Sequence, residues 1–559
     1  MHVGEVMTCQ VELASPDDTL QKAASRIAEQ DTGVLQWWQR SVIYQVYPLS
    51  FQDTDGDGRG DLPGIIARLD HLSWLGVGAV WLGPVYPSPM ADFGYDIADF
   101  TDVDPAFGTL DDLDRLIDGL HGRGIKLILD FVPNHTSSTH PWFLESRSAR
   151  SSPKRDWYVW HDPGPDGGPP TNWLSRFGGS AWEFDARTGQ YYYHAFLKDQ
   201  PDLNWRNPQV RHAMADVLRF WMRRGVDGFR ADAAAVLIED DRLRDEPPNP
   251  EFTKDRPPPE RLRHVFTDCR PETLDHLTEL REVLDEFPDR VLLGEVDTSP
   301  DCIADFYGGD RPRLHLPLNY CLLDTAWDAC SIEHAIRSYL DTLPPDAWPC
   351  WLLGSHDKPR IAGRIGQAQA RVGAMLLLTL PGTPIIYAGD EIGIGDVPIR
   401  PEQVRDPFER QVPDYGLNRD PSRTPMCWDP SPTAGFTSGK PWLPVGGDAE
   451  RCNAEVQRAD ERSLLALYRH LIALRGVNPA LLAGSYEPVC ARGSVLTYWR
   501  SLGDLRMFVA LNLGGASEEV AFVGEGKVRL STHLDRQSER MHRTVCLRAH
   551  EGVIVEAGE

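Results

Sequence analysis

The chain has 559 residues, 41% of them hydrophobic, and a formal net charge of −26. This length exceeds that of one small domain and favours a large barrel with appended parts. The acidic charge argues against nucleic-acid binding, and no apolar run reaches the length of about eighteen residues that indicates a membrane-spanning helix. A neutral small molecule such as a sugar would be indifferent to this charge.

From about residue 40 onward, short apolar runs alternate with amphipathic segments. The apolar runs predict eight strands, at residues 41–48, 79–85, 126–132, 228–236, 291–296, 315–323, 348–354 and 383–389. Eight strands that alternate with helices favour an α/β fold, a closed parallel (β/α)8 TIM barrel. An open doubly wound sheet is the alternative, but no glycine-rich phosphate loop follows the first strand.

Capping signals mark two of the helices between these strands. Thr109 is followed three residues later by Asp112, the pattern of a capping box. Asn207 is an N-cap residue, and Pro208 suits the first helical position after it. The run at 369–380 is apolar enough to predict a largely buried helix.

Two connections are too long to be plain loops. Residues 134–206, rich in Trp, Tyr, Gly and Pro, predict an inserted subdomain, and residues 238–275 predict a stiff, irregular excursion because they contain PPNP and PPP. The alternating pattern after residue 485 predicts a C-terminal antiparallel β domain. We therefore divide the chain into an N-terminal appendage (1–36), a catalytic barrel (37–133 and 207–484), the inserted subdomain (134–206) and the C-terminal β domain (485–559).

The ten cysteines are scattered, without a CxxC pair or a Cys/His cluster. This pattern favours reduced thiols over a disulfide framework or a zinc site. The N-terminus also lacks a basic segment followed by an apolar one, so no secretory signal is predicted. We expect a cytoplasmic protein with no membrane contact, present as a monomer or a homodimer.

Four of the predicted strands end in acidic residues, and barrel active sites lie at the C-terminal ends of the strands. A single buried acid is most often a satisfied hydrogen-bond anchor, but four at one end of a barrel are harder to explain, because unpaired buried carboxylates cost energy. Three carboxylates around one cleft suit glycoside hydrolysis, as nucleophile, general acid and a group that holds sugar hydroxyls. The candidates at the strand ends are Asp130, Asn134, His135, Arg230, Asp232, Glu295, Ser355, His356 and Asp357.

Four short motifs resemble, in order, the conserved regions of the α-amylase family (glycoside hydrolase family 13). They are DFVPNH (130–135), GFRAD (228–232), GEV (294–296) and HD (356–357). The resemblance covers roughly residues 37–559. It implies that Asp232 is the nucleophile, Glu295 the general acid/base and Asp357 the transition-state stabiliser. It also implies that the subsite for the cleaved glucose is lined by Arg230, His135 and His356.

Three further segments resemble the oligo-1,6-glucosidase and α-glucosidase branch of this family: QPDLNW (200–205), DFGYD (92–96) and SRTPMCWD (422–429). This resemblance implies that Asp92 binds the non-reducing glucose, that Tyr95 stacks on it, and that Arg423 pairs with Asp92 to close the pocket. A closed pocket makes an exo-acting enzyme. Phe177 and Phe196 are similar to aromatic residues that shape this pocket, although ordinary packing is the alternative.

The loop DTDGDGRGDL (53–62) alternates acids with glycines and offers several oxygens to a hard cation. It is not a full EF-hand, since Gly64 stands where the glutamate would be. It resembles the calcium-binding loop of oligo-1,6-glucosidases, which implies a structural calcium, with magnesium as an alternative ion and a solvated acidic turn as the alternative without metal. The implied ligands are the side chains of Asp53, Asp55, Asp57 and Asp61 and the carbonyl of Arg59.

Other positions depart from the family pattern. Ala233 follows the nucleophile where this branch has threonine with α-1,4 or valine with α-1,6 linkages, and trehalose-forming relatives also carry alanine. Ser355 and Cys427 replace Asn and Gln. The linkage (α-1,4, α-1,6, α-1,1 or sucrose) therefore stays open. Residues 3–35 resemble the first half of a cystathionine-β-synthase-type domain, too little for a complete nucleotide sensor, so we expect an appendage there.

These observations predict a retaining, exo-acting α-glucosidase that hydrolyses short α-glucosides through a covalent glucosyl–aspartate intermediate. The alternative within the same chemistry is an α-glucosyltransferase or sugar isomerase. The alternative from another class is a non-catalytic sugar-binding or regulatory barrel, like the amino-acid-transporter heavy chains that resemble the family. The three retained carboxylates argue against it. The expected partner is a small-molecule α-glucoside.

Overall fold

The structure is a computed structural model that describes residues 35–297 and 300–558. Apart from its last residue, the segment 3–35 that resembles part of a cystathionine-β-synthase-type domain lies outside the described residues. Within the described ranges, no helix is long and apolar enough to cross a membrane.

Eight parallel strands form the central sheet, and each overlaps one of the predicted runs. Their order is β7–β8–β1–β2–β3–β4–β5–β6, and the end strands β6 and β7 lie beside each other, which closes the barrel. The prediction of a (β/α)8 barrel is confirmed. The strands are β1 (Ile43–Val46), β2 (Ala79–Leu82), β3 (Lys126–Phe131), β4 (Gly228–Ala231), β5 (Val291–Glu295), β6 (Leu316–Leu318), β7 (Cys350–Leu352) and β8 (Thr383–Tyr387).

The interior of the barrel is filled by apolar side chains of alternate strand residues, among them Ile43, Trp81, Ile128 and Leu293, which are fully buried. Because side chains alternate along a strand, the residues between them face the surrounding helices. The interior is therefore a packed core, and the strand ends are the place where polar groups can gather.

The helices surround this barrel. They are α1 (Trp37–Arg40), α2 (Leu62–Ala67), α3 (Leu69–Leu75), α4 (Leu110–His121), α5 (Pro141–Ser146), α6 (Pro208–Arg224), α7 (Pro271–Asp285), α8 (Pro300–Tyr307), α9 (Cys321–Asp324), α10 (Ala329–Thr342), α11 (Ile361–Ile365), α12 (Gln367–Thr379), α13 (Pro407–Gln411), α14 (Ala454–Ala459), α15 (Leu464–Val477) and α16 (Pro479–Ala483).

The predicted helix signals are confirmed. The backbone N–H of Asp112 donates to the Thr109 hydroxyl and the Asp112 carboxylate accepts from the Thr109 N–H, which is a complete capping box. The Asn207 side chain accepts from the N–H of Gln209, and Pro208 opens α6. Helix α12, which contains most of the apolar run 369–380, is almost entirely buried.

Between β3 and α6 lies a small three-stranded antiparallel sheet, with Gln190–Tyr193 between Trp160–His161 and Trp182–Asp185. The segment between β4 and α7 is irregular except for one short turn of 3-10 helix, Pro258–Arg261. It packs on the first segment, since Trp173 Nε1 donates to the Arg244 carbonyl at 2.7 Å. Together these two insertions stand beside the C-terminal ends of β3 and β4.

The C-terminal part is a six-stranded antiparallel sheet, in the order β9–β10–β11–β14–β12–β13. It rests on the barrel through α12, where the hydroxyls of Thr379 and Tyr498 are 2.5 Å apart and the Arg500 guanidinium donates to the Thr379 carbonyl. The predicted antiparallel β domain is therefore present. Its strands are β9 (Ser485–Arg492), β10 (Val495–Leu502), β11 (Leu505–Asn512), β12 (Glu518–Ser531), β13 (Arg540–Leu547) and β14 (Gly552–Ala557).

Candidate active site

A cavity of about 570 Å³ opens at the C-terminal ends of the barrel strands. Side chains from several strand ends, from both insertions and from the loop after β8 line it. Such a concave site at this end of a barrel is where ligands bind. Of the residues predicted from sequence, those in the lining are Asp92, Tyr95, His135, Phe177, Phe196, Asp232, Ala233, Glu295 and Asp357.

One arginine organises the carboxylates at the centre. Arg230 has no exposed side-chain surface, and its Nη1 donates to Asp130 Oδ1 at 2.8 Å and to Asp232 Oδ1 at 2.6 Å. Its Nη2 forms an ion pair with Glu295 Oε2 at 2.9 Å. Asp130 and Arg230 are register partners on β3 and β4, and Arg230 and Asp232 are two residues apart, so both point to the same side.

The ionisation of these carboxylates depends on burial and on Arg230. Burial raises the pKa of Asp232 above its usual range, Arg230 acts in the opposite direction, and Glu295 adds to the increase. Burial also raises the pKa of Asp130 to about 6, against the same opposing effect of Arg230. Arg230 is therefore the group that keeps negative charge available at Asp232.

His356 and its neighbours form a hydrogen-bonded chain beneath the cavity. Gln45 Nε2 lies 2.7 Å from His356 Nδ1, so Nδ1 accepts and the proton resides on Nε2, which donates to the Tyr95 hydroxyl at 2.7 Å. Tyr95 in turn donates to Asp130 Oδ2 at 3.3 Å. Burial lowers the pKa of His356 to about 3, so the imidazole is neutral near pH 7.

Asp357 is held by cations from the loop after β8. Arg423 Nη2 lies 2.6 Å and Arg419 Nη1 lies 3.4 Å from Asp357 Oδ1, while His356 Nε2 lies 3.0 Å from Oδ2. Burial raises the pKa of Asp357, but His356, Arg423 and Arg419 outweigh it and bring the pKa well below its usual range. Asp357 is therefore ionised.

The predicted pairing of Asp92 with Arg423 is wrong. The partner of Asp92 is Arg419, whose Nη2 lies 2.8 Å from Asp92 Oδ1. Arg423 is fully buried, and its guanidinium contacts the His356 carbonyl through Nε at 2.9 Å and Asp357 through Nη2, so it does not pair with Asp92. Arg230, His356 and Arg423 thus lie behind the lining and act on it through the carboxylates that they contact.

Aromatic rings form one wall of the cavity. Phe177 stacks on Phe408 with ring centroids 4.7 Å apart, and the Arg419 guanidinium lies 5.0 Å from the Phe177 ring. Phe196 meets His135 edge-on at 5.5 Å. This wall is apolar enough to pack against the faces of a sugar ring.

Ala233 has an unusual backbone. Its φ of 47° lies in the left-handed region, which residues other than glycine rarely adopt. In this conformation its N–H donates to Glu295 Oε2 at 3.1 Å. Glu295 therefore contacts Arg230 and the backbone of the residue that follows Asp232, which ties the two strand ends together.

Sequence reasoning missed several lining residues, chiefly on the loop after β8 and on the two insertions. The loop has no periodic pattern, and the only local signal was its charge. An ion pair also crosses between the insertions, with Arg176 Nη2 at 3.0 Å from Asp268 Oδ2. The lining residues that were not predicted include Arg176, Gln200, Asp268, Phe408 and Arg419.

In the acidic loop after β1, the ligand oxygens of Asp53, Asp55 and Asp61 lie within 4.8 Å of one another. Asp57 is not part of this group, and its Oδ1 accepts from the Arg59 N–H at 2.7 Å. Three carboxylates this close repel one another unless a cation is present, and hard oxygen donors suit calcium. The donor set therefore fits the expected ion.

The (β/α)8 barrel and the three carboxylates that line its cavity, Asp232, Glu295 and Asp357, are the features of the barrel glycosidases. The model of the alpha amylase catalytic domain matches residues 45–484. The chain belongs to the α-amylase family, glycoside hydrolase family 13.

Individual relatives refine this placement. A probable alpha-glucosidase of Rhizobium meliloti (strain 1021) is 43% identical over 520 residues, which cover 90% of this chain and 93% of the relative. The crystal structure of the alpha-glucosyl transfer enzyme XgtA superposes with a TM-score of 0.89 and 41% identity, covering 94% of this chain and 100% of that one. The trehalulose synthase MutB from Pseudomonas mesoacidophila MX-45 gives a TM-score of 0.86 and 33% identity, with the same coverage.

Proposed function

We propose that this protein is a retaining, exo-acting α-glucosidase that acts on short α-glucosides through Asp232 and Glu295. The observation that carries the proposal is that both carboxylates contact the single guanidinium of Arg230, at 2.6 and 2.9 Å. This shared contact limits their separation and favours the short spacing of retaining enzymes. Glucosidase and glucosyl-transfer relatives support the same chemistry.

In the first step, an Asp232 carboxylate oxygen attacks the anomeric carbon of the bound glucosyl unit. The bond from that carbon to the glycosidic oxygen breaks, and the proton of Glu295 moves to the departing oxygen. Arg230 favours the ionised form of Asp232 that this attack requires.

In the second step, Glu295 takes the proton of a water molecule, whose oxygen attacks the anomeric carbon and releases Asp232. Two inversions give α-glucose as the first product. The Ala233 N–H at 3.1 Å from Glu295 Oε2 holds this carboxylate in place between the two steps.

Asp357 is proposed to hold two sugar hydroxyls and to stabilise the positive charge that develops on the ring. Its contacts with Arg423 and Arg419 keep it ionised throughout. Neutral His356 and His135 then serve as hydrogen-bonding groups rather than as cations, since burial lowers the pKa of each to about 3.

The exo mode follows from the end of the pocket. The Asp92–Arg419 pair and the stacked rings of Phe177 and Phe408 stand where a longer chain would continue. One terminal glucosyl unit fits in front of this barrier, with Asp92 available to a terminal hydroxyl. The ion pair between Arg176 and Asp268 of the excursion also lies in the cavity lining and joins the two insertions there, which favours short substrates.

The second candidate within the same chemistry is transfer to another hydroxyl compound. The likeness to an alpha-glucosyl transfer enzyme and to a trehalulose synthase favours it. The covalent intermediate is the same, and only the attacking oxygen differs. The non-catalytic alternative is not favoured, because the carboxylates of Asp232, Glu295 and Asp357 all line the cavity.

The finer assignments are proposals too. We propose that Asp53, Asp55 and Asp61 hold a structural calcium, with the Arg59 carbonyl as a further ligand, and that the ion stabilises the loop after β1. We also propose a cytoplasmic monomer or homodimer. Light scattering of the purified protein measures the oligomeric state.

The experiment for the catalytic proposal has two parts. Incubation with 5-fluoro-α-glucosyl fluoride followed by peptide mass spectrometry is expected to find the sugar on Asp232, and a label on another residue contradicts the nucleophile. NMR of early hydrolysis products is expected to show α-glucose, and β-glucose contradicts retention. Product profiles on maltose, isomaltose, sucrose and trehalose, with and without an added acceptor, separate the linkages and distinguish hydrolysis from transfer.

A further inference from the structure

A buried carboxylate outside the cavity lining joins the two ends of the loop 406–419, which contributes residues to the cavity wall. Asp406 has no exposed side-chain surface. Its Oδ1 accepts from Arg419 Nη2 at 2.7 Å and its Oδ2 from the Arg419 backbone N–H at 2.7 Å, and both oxygens lie 3.1 Å from Arg419 Nε. These contacts tie residue 406 to residue 419 and make a closed loop of the segment between them.

The guanidinium at the end of this loop is shared among three carboxylates. Arg419 contacts Asp92 and Asp357, which both line the cavity, and Asp406, which does not. Of these three carboxylates, Asp406 alone contacts two side-chain nitrogens of Arg419, Nε and Nη2. Since charge-assisted, two-point contacts fix the plane of a guanidinium, Asp406 sets the direction in which Arg419 reaches Asp92.

The same carboxylate also places an aromatic residue of the pocket wall. Asp406 is the N-cap of α13, and its Oδ1 accepts from the backbone N–H of Phe408 at 3.1 Å. Phe408 stacks on Phe177, and Arg419 lies over the same Phe177 ring. One side chain therefore orients both the cation at the end of the pocket and the ring beside it.

We propose that Asp406 is a positioning residue that sets the specificity of the pocket for a single terminal glucosyl unit. It acts through Arg419, which it holds against Asp92, and through Phe408. The inference rests on the proposed function, because a terminal glucosyl unit is the ligand that this barrier would meet. Without Asp406, the guanidinium keeps only the two carboxylates that face the substrate and competes with sugar hydroxyls for them.

The test compares Asp406→Asn with wild type in steady-state hydrolysis of 4-nitrophenyl α-glucoside and in competitive inhibition by glucose. We expect KM and the glucose inhibition constant to rise together by about tenfold or more, the loss of one charge-assisted contact, with a smaller change in kcat. Asp420→Asn is the matched control. Asp420 is buried in the same loop, its Oδ2 accepts only from the backbone N–H groups of Arg405 and Asp406, and an asparagine oxygen can accept both.

A second comparison separates positioning from a general loss of structure. Because Asp406 acts through Arg419, the double variant Asp406→Asn/Arg419→Lys is expected to show a KM no higher than the worse single variant. If Asp406→Asn does not fold, the same constants are measured for Asp406→Glu. This variant keeps the charge but displaces the guanidinium of Arg419, so we expect a smaller rise in KM. A folded variant whose KM and glucose inhibition constant both stay within about twofold of wild type overturns the proposal.

The two proposals fail differently. A wild-type protein that turns over no α-glucoside contradicts the proposed function. An active wild type whose Asp406 variants bind glucose normally contradicts only the positioning role. Equal effects of Asp406→Asn and Asp420→Asn would also overturn it, because they would show that any change in this loop has the same result.

Discussion

Replacement of Arg230 by methionine tests the central electrostatic argument. Methionine fills a similar volume but removes the cation that contacts Asp130, Asp232 and Glu295. Three carboxylates, of which Asp130 and Asp232 are buried, would then share one site without this counter-charge. Since leaving a buried charge unpaired costs about 3–5 kcal/mol, the site is expected to take up protons instead.

The size of the effect follows from the geometry. Two charges about 4 Å apart interact by about 4 kcal/mol at the effective dielectric of protein sites, and about 1.4 kcal/mol corresponds to one pKa unit. Loss of Arg230 should therefore destabilise the ionised form of Asp232 by about 4 kcal/mol and raise its pKa, in the same direction as burial already does. A protonated Asp232 could not act as the proposed nucleophile, so kcat/KM near pH 7 should fall by about 100-fold or more.

The assay is the pH dependence of kcat/KM on 4-nitrophenyl α-glucoside. The acid limb of the Arg230→Met profile is expected to move to higher pH, and activity should recover in alkaline buffer. Arg230→Lys is the control, because it keeps a cation and should leave the acid limb within about one pH unit of wild type. A variant that loses activity equally at every pH, with no displaced limb, would refute the reasoning.

Three further predictions concern other parts of the chain. Chelation of calcium should lower the melting temperature and added calcium should restore it; Asp55→Ala should abolish this response and Asp57→Ala, outside the carboxylate group, should largely keep it, and equal responses would contradict the ligand set. Burial lowers the pKa of His135 to about 3, so the unfolded chain binds the extra proton below about pH 6.5 and stability is lost as the pH falls. Between about pH 7 and 5, the free energy of unfolding measured with denaturant should fall by about 2 kcal/mol less in His135→Gln than in wild type. Parallel plots of this free energy against pH for the two proteins would contradict the prediction. Deletion of residues 1–34 should leave kcat/KM within about twofold, since every described lining residue lies beyond them, and a large loss would show that the segment supports the barrel.

The barrel could be predicted because its signals are local. Each strand is an apolar run of a few residues, and caps such as Thr109 and Asn207 mark where helices begin. The carboxylates were also predictable, because the C-terminal ends of parallel strands meet at one edge. Once β3, β4 and β5 are adjacent, Asp130, Asp232 and Glu295 lie together without further information.

The closing end of the pocket could not be predicted in the same way. Arg419 and Arg423 lie on one irregular segment, four residues apart, and no periodic rule says which of them reaches Asp92. The outcome depends on the path of the loop, which Asp406 fixes from thirteen residues before Arg419.

The arginines of the site explain how a strongly acidic protein keeps a site of defined ionisation. The chain carries a net charge of −26, and burial acts to raise the pKa of Asp92, Asp232 and Asp357. Arg230 lies beneath Asp232 and Glu295, Arg423 beneath Asp357, and Arg419 between Asp357 and Asp92. Each cation is itself held by a further acceptor outside the lining, such as Asp130 for Arg230 and Asp406 for Arg419. Because Arg230 and Arg423 lie behind the lining and Asp406 holds Arg419 at its edge, these cations neutralise the carboxylates and leave the cavity free for a neutral sugar.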